Sequence, residues 1–267
     1  MAAMYLTKVR IAPAILFFLL VCALIPLFLT APFYGYGASN DTVRSADRPT
    51  ASLLQMNLRY DAEAAPAVKL IRSVGADIVT LQEAKERWVD ALSAVEDIYP
   101  YRVLCGVEKP LGGNVILSKF QIIENDTACI DRLGLVATRI ELAENQSLTV
   151  ASQHLVWPWP YQQWPQIKAL SPILSELQAP LIIGGDFNAA PWSAALDVYA
   201  DATNTHPVKR IGASFAPYAL PVSWKSFIGL PIDNIFVSDE IEILSTGTIE
   251  PTASDHLPVL TRFALRQ

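Results

Sequence analysis

The feature that most constrains the fold is a series of short apolar runs, rich in β-branched residues, from about residue 50 onward. Each run is seven to nine residues long, which is typical of β-strands. The runs read ASLLQMN, ADIVTLQE, GNVILSKF, GLVATRIEL, SLTVASQH, PLIIGGDF, IDNIFVSD, IEILSTG and LPVLTRFAL. Segments with helical character lie between some of them, at 62–74, 85–96, 160–177 and 192–199. This order predicts a domain of the α/β or α+β class, in which helices cover sheets.

Polar side chains stand at the ends of several predicted strands. In four of the earlier strands the first strongly polar group after the buried-looking sequence is Asn57, Glu83, His154 or Asp186. Asp233 and the pair Asp255 and His256 instead open later strands. If the later strands run antiparallel to the earlier ones, these positions converge on one edge of the sheets.

The candidate site comprises four carboxylates, two carboxamides and two histidines. They are Glu83, Asp186, Asp233, Asp255, Asn57, Asn188, His154 and His256. An oxygen-rich set without a thiol suits a hard cation, Mg2+ or Mn2+, better than Zn2+. Because Mg2+ is usually held by one or two carboxylates with waters and phosphate oxygens, we expect Glu83, Asn57 and Asp255 to suffice as metal ligands.

The motifs around these residues resemble those of the endonuclease/exonuclease/phosphatase superfamily in identity and order. They are MNLRY at Asn57, LQE at Glu83, SQHL at His154, GGDFNAAP at Asp186 and Asn188, IDNIFVS at Asp233, and SDHLPV at Asp255 and His256. The resemblance covers roughly residues 50–265. It implies a four-layer α/β/β/α sandwich of two mostly antiparallel or mixed sheets, with the site at one end.

The resemblance also implies in-line attack of water on a phosphodiester or phosphomonoester, assisted by a divalent ion. Glu83 would then be the principal metal ligand, with Asn57 beside it, and Asp255 would bind or support the metal. Asp186 would orient or deprotonate the attacking water, and Asn188 would position that carboxylate and the phosphate.

The remaining roles implied by the resemblance fall to the histidines and one carboxylate. His256 would hold a phosphate oxygen and stabilise its charge, with Asp233 fixing the imidazole ring through a hydrogen bond. His154 would donate a second contact to the phosphate. These roles suit phosphoryl transfer, which needs preorganised donors and a cation where negative charge develops.

Two features depart from the pattern of the family. Asn234 occupies a position where an aromatic residue is frequent. The segment HLVWPWPYQQWPQIK that begins at His154 is also unusually aromatic, with Trp157, Trp159, Tyr161 and Trp164. Three interpretations of these aromatic residues stay open: packing of a proline-rich loop, a wall of the substrate cleft, or contact with a membrane interface.

The N-terminal region has the features of a membrane anchor. The run 11–29 carries no charge over 19 residues, close to the roughly 20 that span a bilayer. Lys8 and Arg10 precede it, which favours a cytoplasmic N-terminus and a catalytic domain on the outer side of the membrane. A cleaved signal peptide is the alternative.

These observations divide the chain into four parts. We expect a short cytoplasmic segment, a single transmembrane helix, a linker and a catalytic domain, at 1–10, 11–30, 31–49 and 50–267.

Charge and cysteine content narrow the functional classes. The net charge of −6 argues against a broad nucleic-acid-binding surface, although a local basic groove stays compatible with it. Cys22 lies in the apolar run, so only Cys105 and Cys129 can pair within the domain; two separate buried thiols are the alternative. Neither has neighbours at the spacing of a structural zinc site.

The sequence thus predicts a phosphoester hydrolase on the outer face of the cytoplasmic membrane, with the lipid bilayer as partner through the N-terminal helix and no protein partner. Its substrate would be a nucleic acid, as for an extracytoplasmic nuclease, or phospholipid-like, as for a sphingomyelinase or phosphoinositide phosphatase. A catalytically silent binding domain on the same fold is the second alternative, because a fold does not by itself establish an activity.

Overall fold

The computed structural model describes residues 50–216 and 229–266, together with five isolated positions of the N-terminal segment, 15, 17, 18, 20 and 22. Within these described residues, no helix combines the length and the apolar character needed to cross a bilayer. The predicted transmembrane segment, 11–30, contributes only those five positions, and the predicted linker, 31–49, lies outside the described residues.

The ranges 50–216 and 229–266 contain twelve strands and four α-helices. The strands are β1 (Thr50–Asn57), β2 (Ile78–Ala84), β3 (Tyr101–Cys105), β4 (Gly113–Ser118), β5 (Ile122–Ile130), β6 (Leu135–Ala143), β7 (Gln146–His154), β8 (Leu181–Asp186), β9 (His206–Pro207), β10 (Asp233–Val237), β11 (Ile241–Thr248) and β12 (Val259–Leu265). The helices are α1 (Ala64–Val74), α2 (Glu86–Leu92), α3 (Gln163–Leu174) and α4 (Ala194–Thr203), and short 3-10 turns follow α2 and β5.

The strands form two six-stranded sheets with the orders β11-β12-β1-β2-β4-β3 and β5-β6-β7-β8-β10-β9. Each sheet has one parallel pair near its centre, β1 with β2 and β7 with β8. The other pairs are antiparallel. The sheets are therefore mixed and mostly antiparallel, as the resemblance implied.

Three apolar clusters separate four layers. The first cluster fills the space between the sheets and includes Leu53, Ile182 and Phe263. The second joins α1 and α2 to the first sheet and includes Trp88, and the third joins α3 and α4 to the second sheet and includes Tyr199. Each fully buried large apolar side chain contributes roughly 1.5–3 kcal/mol to stability. Successive residues of a strand face opposite sides of its sheet, so strands with apolar residues on both sides need a cover on each: the other sheet on one side and helices on the other. The four-layer α/β/β/α arrangement is confirmed.

Strand direction brings the polar strand ends together. The parallel pair β7 and β8 places His154 opposite Asp186, and the antiparallel β10 places Asp233 opposite the same Asp186. In the first sheet, β12 is antiparallel to β1, with Gln55 opposite Val259. The antiparallel condition inferred from the sequence is therefore met, and the chemistry-bearing residues share one end of the sandwich.

Three strands were absent from the sequence prediction: β3, β5 and β9. In β3 only the last of five residues is fully buried, and β5 carries the polar sequence ENDT, so neither shows the apolar run of a central strand. Both lie at the edge of their sheet, where one side of a strand stays open to solvent. A disulfide between Cys105 and Cys129 joins these two edge strands across the sandwich.

Candidate active site

A cleft of about 430 Å3 opens at the end of the sandwich where the polar strand ends meet. Six of the eight predicted site residues line it: Glu83, His154, Asp186, Asn188, Asp255 and His256. Asn57 and Asp233 lie behind this lining, 1% and 0% exposed. The structure therefore brings together all eight, with two of them buried beneath the surface of the cleft.

A bulge in β2 turns Glu83 toward the cleft. The pairing of β2 with β4 shifts register between Leu81 and Ala84, and Glu83 has a left-handed backbone with φ 58°. Gln82 is fully buried, so regular alternation would direct Glu83 to the opposite face; the bulge re-aims its side chain. Gly112 packs on this bulge, where a Cβ atom would lie 2.6 Å from the Glu83 carbonyl carbon and oxygen.

The side-chain amide of Asn57 joins two carboxylates. Its Nδ2 donates to Oε1 of Glu83 at 3.0 Å and to Oδ2 of Asp186 at 2.9 Å, while its Oδ1 accepts from the backbone N–H of Arg59 at 2.9 Å. The other oxygen of Glu83, Oε2, accepts from the backbone N–H of Tyr60 at 3.0 Å. These contacts hold both carboxylates at fixed positions on the cleft wall.

Asp186 lies at the centre of the site. Its Oδ1 accepts from the backbone N–H of Asn188 at 2.9 Å, and its Oδ2 lies 3.7 Å from Nε2 of both His154 and His256. Burial raises the pKa of the Asp186 carboxyl; the charge of His256 offsets part of this rise, and the nearby Asp233 carboxylate adds to it.

His256 and Asp233 form a buried pair. Oδ2 of Asp233 lies 2.7 Å from Nδ1 of His256, and the backbone N–H of Asp233 donates to Oγ of Ser214 at 3.0 Å. Burial opposes the charged imidazolium, but the carboxylates of Asp233 and Asp186 outweigh it and raise the pKa of His256 to about 10. The ring of Phe215 covers the imidazole at a centroid distance of 4.9 Å.

A polar chain between the sheets supports Asp233, and the sequence analysis did not identify it. Oδ1 of Asp233 accepts from Nε2 of Gln55 at 2.9 Å, and the same Nε2 donates to Oε1 of Gln82 at 2.8 Å. Nε2 of Gln82 in turn donates to Oγ of Ser152 in the opposite sheet at 2.9 Å. The signal was strand alternation: Gln55 lies two residues before Asn57, and Ser152 two before His154, so each shares a strand face with a site residue.

His154 and Asn188 complete the cleft wall. Nε2 of His154 lies 4.0 Å from Oε1 of Glu83, and 24% of its side chain is exposed, so it reaches the open part of the cleft. Asn188 has a left-handed backbone with φ 47°, and its Nδ2 donates to the carbonyl of Leu155 at 2.7 Å. Its Oδ1 is buried and has no hydrogen-bond partner among the described residues.

The aromatic segment after His154 divides between the cleft and the surface. Trp157 and Tyr161 line the cleft, and Trp157 packs edge-on against Phe215 at 5.8 Å. Trp159 is instead 85% exposed. The cleft-wall interpretation therefore holds for two of the aromatic residues. Asn234, the departure in β10, is buried and donates to the carbonyl of Ala189 at 3.2 Å.

The family of this chain follows from its match to a family model. The model of the endonuclease/exonuclease/phosphatase family matches residues 54–256. The chain belongs to the endonuclease/exonuclease/phosphatase family. A comparison with curated protein sequences finds no match.

Several solved structures share this fold at low identity. D. rerio TDP2 in complex with a single-strand DNA product is 18% identical, with a TM-score of 0.63, covering 80% of this chain and 98% of that one. Staphylococcus aureus beta toxin with bound magnesium ions is 16% identical (TM-score 0.58; 81% and 99% covered), and sphingomyelinase C of Streptomyces griseocarneus is 15% identical (TM-score 0.59; 82% and 100% covered).

The donor groups of the cleft fit the divalent metal ion that enzymes of this endonuclease/exonuclease/phosphatase family use. Glu83, His154 and Asp186 place one ligand atom each within 4.8 Å of one another at the cleft, and Asp186, Asp233 and His256 do so in the interior. In the interior group Nδ1 of His256 is already engaged by Asp233, so the cleft group is the better metal candidate. Its carboxylate oxygens suit Mg2+ or Mn2+, as expected from the sequence.

Proposed function

We propose that the chain is a divalent-metal-dependent phosphoesterase that hydrolyses a phosphodiester or phosphomonoester by in-line attack of water. One observation carries this proposal: Asp186 lies between two different kinds of group. On one side Asn57 ties it to Glu83, and on the other Nε2 of His256 lies 3.7 Å from its carboxylate. A site that must hold a cation and stabilise an anionic phosphate needs both kinds of group.

In this mechanism Asp186 accepts a proton from the attacking water, whose oxygen forms a bond to phosphorus. The ester bond breaks at the same time, and the leaving oxygen departs as an alkoxide that takes a proton from solvent to become the alcohol. Asn188 fixes Oδ1 of Asp186 through its backbone N–H. The protonated His256 donates from Nε2 to a phosphate oxygen, and His154 provides a second donor from the open side of the cleft. A divalent cation held at Glu83 would stabilise the negative charge that develops on the phosphate. Glu83 is the one ligand common to the set predicted from the sequence, with Asn57 and Asp255, and to the cleft group, with His154 and Asp186.

The charge of the cleft supports a choice of substrate class. Arg59 is the one Lys or Arg among the described residues that line it, and the chain is acidic. A long nucleic acid would require several cations along its backbone. A phosphoester with few phosphates therefore fits better, and a phospholipid-like substrate is the favoured class; the resemblance to sphingomyelinase C in fold is compatible with this choice.

We also propose that the domain works on the outer side of the cytoplasmic membrane, anchored by the segment 11–30. Lys8 and Arg10 ahead of the uncharged run support this orientation. The Cys105–Cys129 disulfide supports it as well, because such bonds persist in oxidising compartments. A periplasmic alkaline phosphatase reporter fused after residue 267 should be active, whereas activity of a cytoplasmic reporter only would contradict the orientation.

The catalytic proposal is tested by hydrolysis with the purified 267-residue chain, with and without Mg2+ or Mn2+. The panel comprises bis(4-nitrophenyl) phosphate, 4-nitrophenyl phosphate, single-stranded and duplex DNA, sphingomyelin and phosphoinositides. We expect metal-dependent turnover that Asp186→Ala abolishes and that the exposed control Asp201→Ala retains. Absence of turnover on every substrate would favour the catalytically silent binding domain.

A further inference from the structure

A second groove of about 390 Å3 adjoins the catalytic cleft. The two share Trp157 and Asn188, which line both. The two cavities are therefore adjacent, and a molecule whose phosphate occupies the cleft could place a substituent beyond Trp157 in the groove. The volume lies within the range of roughly 300–1,000 Å3 that is typical of small-ligand pockets.

The lining of this groove is uncharged and rich in tryptophan. Trp157, Trp164 and Trp192 contribute their side chains together with Leu230 and Pro231, and no Asp, Glu, Lys, Arg or His lies among the described residues that line it. Trp164 is 51% exposed and Leu230 47% exposed. This concave apolar surface is partly exposed to solvent, and covering it with an apolar group would be favourable because apolar area is removed from water.

Most polar side chains of the groove form hydrogen bonds within the protein. Nε2 of Gln163 donates to the carbonyls of Val156 and Phe187 at 2.8 and 2.9 Å, and Oγ of Ser193 caps the first turn of α4. Oδ1 of Asn188 is different: the residue is 4% exposed, and this oxygen has no hydrogen-bond partner among the described residues. A single unsatisfied acceptor thus lies where the groove meets the cleft.

The difference in charge between the two cavities indicates which part of a ligand each one would bind. The cleft carries carboxylates, histidines and Arg59, whereas the groove carries no formal charge. A nucleic-acid strand would place further phosphates beyond the cleft, and burying them against tryptophan without cations would be unfavourable. We propose that the groove binds an uncharged apolar ester group of the substrate, so that the chain acts on amphiphilic phosphoesters. This inference rests on the proposed phosphoesterase function.

The test is a homologous series of alkyl 4-nitrophenyl phosphodiesters, from methyl to hexyl, with phenyl and naphthyl esters as the aromatic arm. The whole chain is assayed in nanodiscs with Mg2+, and free substrate concentrations are measured because the longer esters partition into lipid. We expect kcat/KM to rise with chain length by up to about fourfold per fully buried methylene. A steeper gain for the aryl arm would identify a ring as the natural group, and a steeper gain for the alkyl arm an acyl-like chain.

Two groove variants and one control variant distinguish binding in the groove from contact with the membrane surface. Trp164→Ala and Trp192→Ala should flatten the series while the methyl ester keeps kcat/KM within about twofold, because only the contribution of groove burial is lost. Trp159→Ala, at a tryptophan outside both cavities, should keep the full slope. A flat wild-type series, or an equal loss of slope in Trp159→Ala, would overturn the proposal.

A binding measurement keeps this inference distinct from the proposed function. By calorimetry, hexyl phosphate should bind more tightly than methyl phosphate and with a more negative heat-capacity change, and Trp164→Ala should remove the difference. If no substrate is hydrolysed but hexyl phosphate still binds more tightly than methyl phosphate, only the phosphoesterase function is refuted. Equal binding of hexyl and methyl phosphate would refute the groove assignment even if hydrolysis is observed.

Discussion

The Oδ2 atom of Asp233 lies 2.7 Å from Nδ1 of His256, and both side chains are buried. Because Asp233 occupies Nδ1, Nε2 is the imidazole atom left to act on the cleft, where it lies 3.7 Å from Oδ2 of Asp186. The pKa of His256 of about 10 keeps the ring protonated at neutral pH. The pair therefore presents a fixed, positively charged donor to the site where phosphate would bind.

Replacing Asp233 with asparagine should lower kcat by about 100-fold or more, because His256 loses the charge that orients and protonates its ring. Removing a nearby carboxylate also removes a cause of the raised pKa, so the pKa of His256 should fall. Steady-state kinetics on bis(4-nitrophenyl) phosphate and a histidine NMR titration check the two effects. Asp239→Asn is the matched control, since Asp239 contacts the exposed His206 at 3.5 Å. Equal kcat in both variants would refute the role of Asp233.

Glu83→Gln should raise the Mg2+ concentration for half-maximal activity by at least about tenfold, because an anionic ligand becomes neutral while its size is kept. The amide can still accept from the backbone N–H of Tyr60, so the fold should be retained. Metal titration of activity after chelation with EDTA measures the effect. Glu86→Gln, in the first turn of α2, should leave the titration unchanged. An unchanged half-maximal concentration in Glu83→Gln would exclude Glu83 as a ligand.

The positions of the polar residues at the strand ends were predictable, because they depend on the local sequence alone. An apolar run followed by the first polar residue marks where a buried strand leaves the core, and the motifs at Asn57, Asp186 and His256 then placed those residues at one edge. The sequence did not establish strand direction. The polar ends meet because β1 and β2, and β7 and β8, run parallel, while β10 and β12 run antiparallel to their neighbours. The two-sheet sandwich with helices outside followed from the resemblance to the family.

Strand alternation could place Gln55 and Ser152 on the same strand faces as site residues, but the contacts that orient the site were not predictable, because they form between segments distant in sequence. The bulge at Glu83 exists where β2 pairs with β4 and packs on Gly112, a residue distant in sequence. In the sequence, Gln55 and Gln82 are single polar residues within apolar strands. Their role becomes visible only in the folded sandwich, where Gln82 donates to Ser152 of the second sheet. The pairing of Cys105 with Cys129 likewise depended on how two edge strands meet across the sandwich.

Gln55→Leu should destabilise the fold by about 2 kcal/mol or more, since one amide satisfies two buried acceptors, on Asp233 and Gln82. It should also lower kcat, because the carboxylate that orients His256 loses a partner. Urea denaturation and steady-state kinetics measure both effects, with the exposed Gln121→Ala as control. A loss of stability without a loss of kcat would assign Gln55 to folding alone.

Cys129→Ser should lower the free energy of unfolding by about 3 kcal/mol, because the disulfide closes a loop with a sequence separation of 24 residues. Cys129 is exposed whereas Cys105 is 3% exposed, so substitution at 129 removes the bond without burying a hydroxyl. A reductant should destabilise the wild-type chain by a similar amount and leave the variant unaffected, as urea denaturation would show. Cys22→Ser removes the free cysteine and should behave as wild type in both conditions. Equal stability of wild type and Cys129→Ser in the absence of reductant would contradict a stabilising bond between β3 and β5.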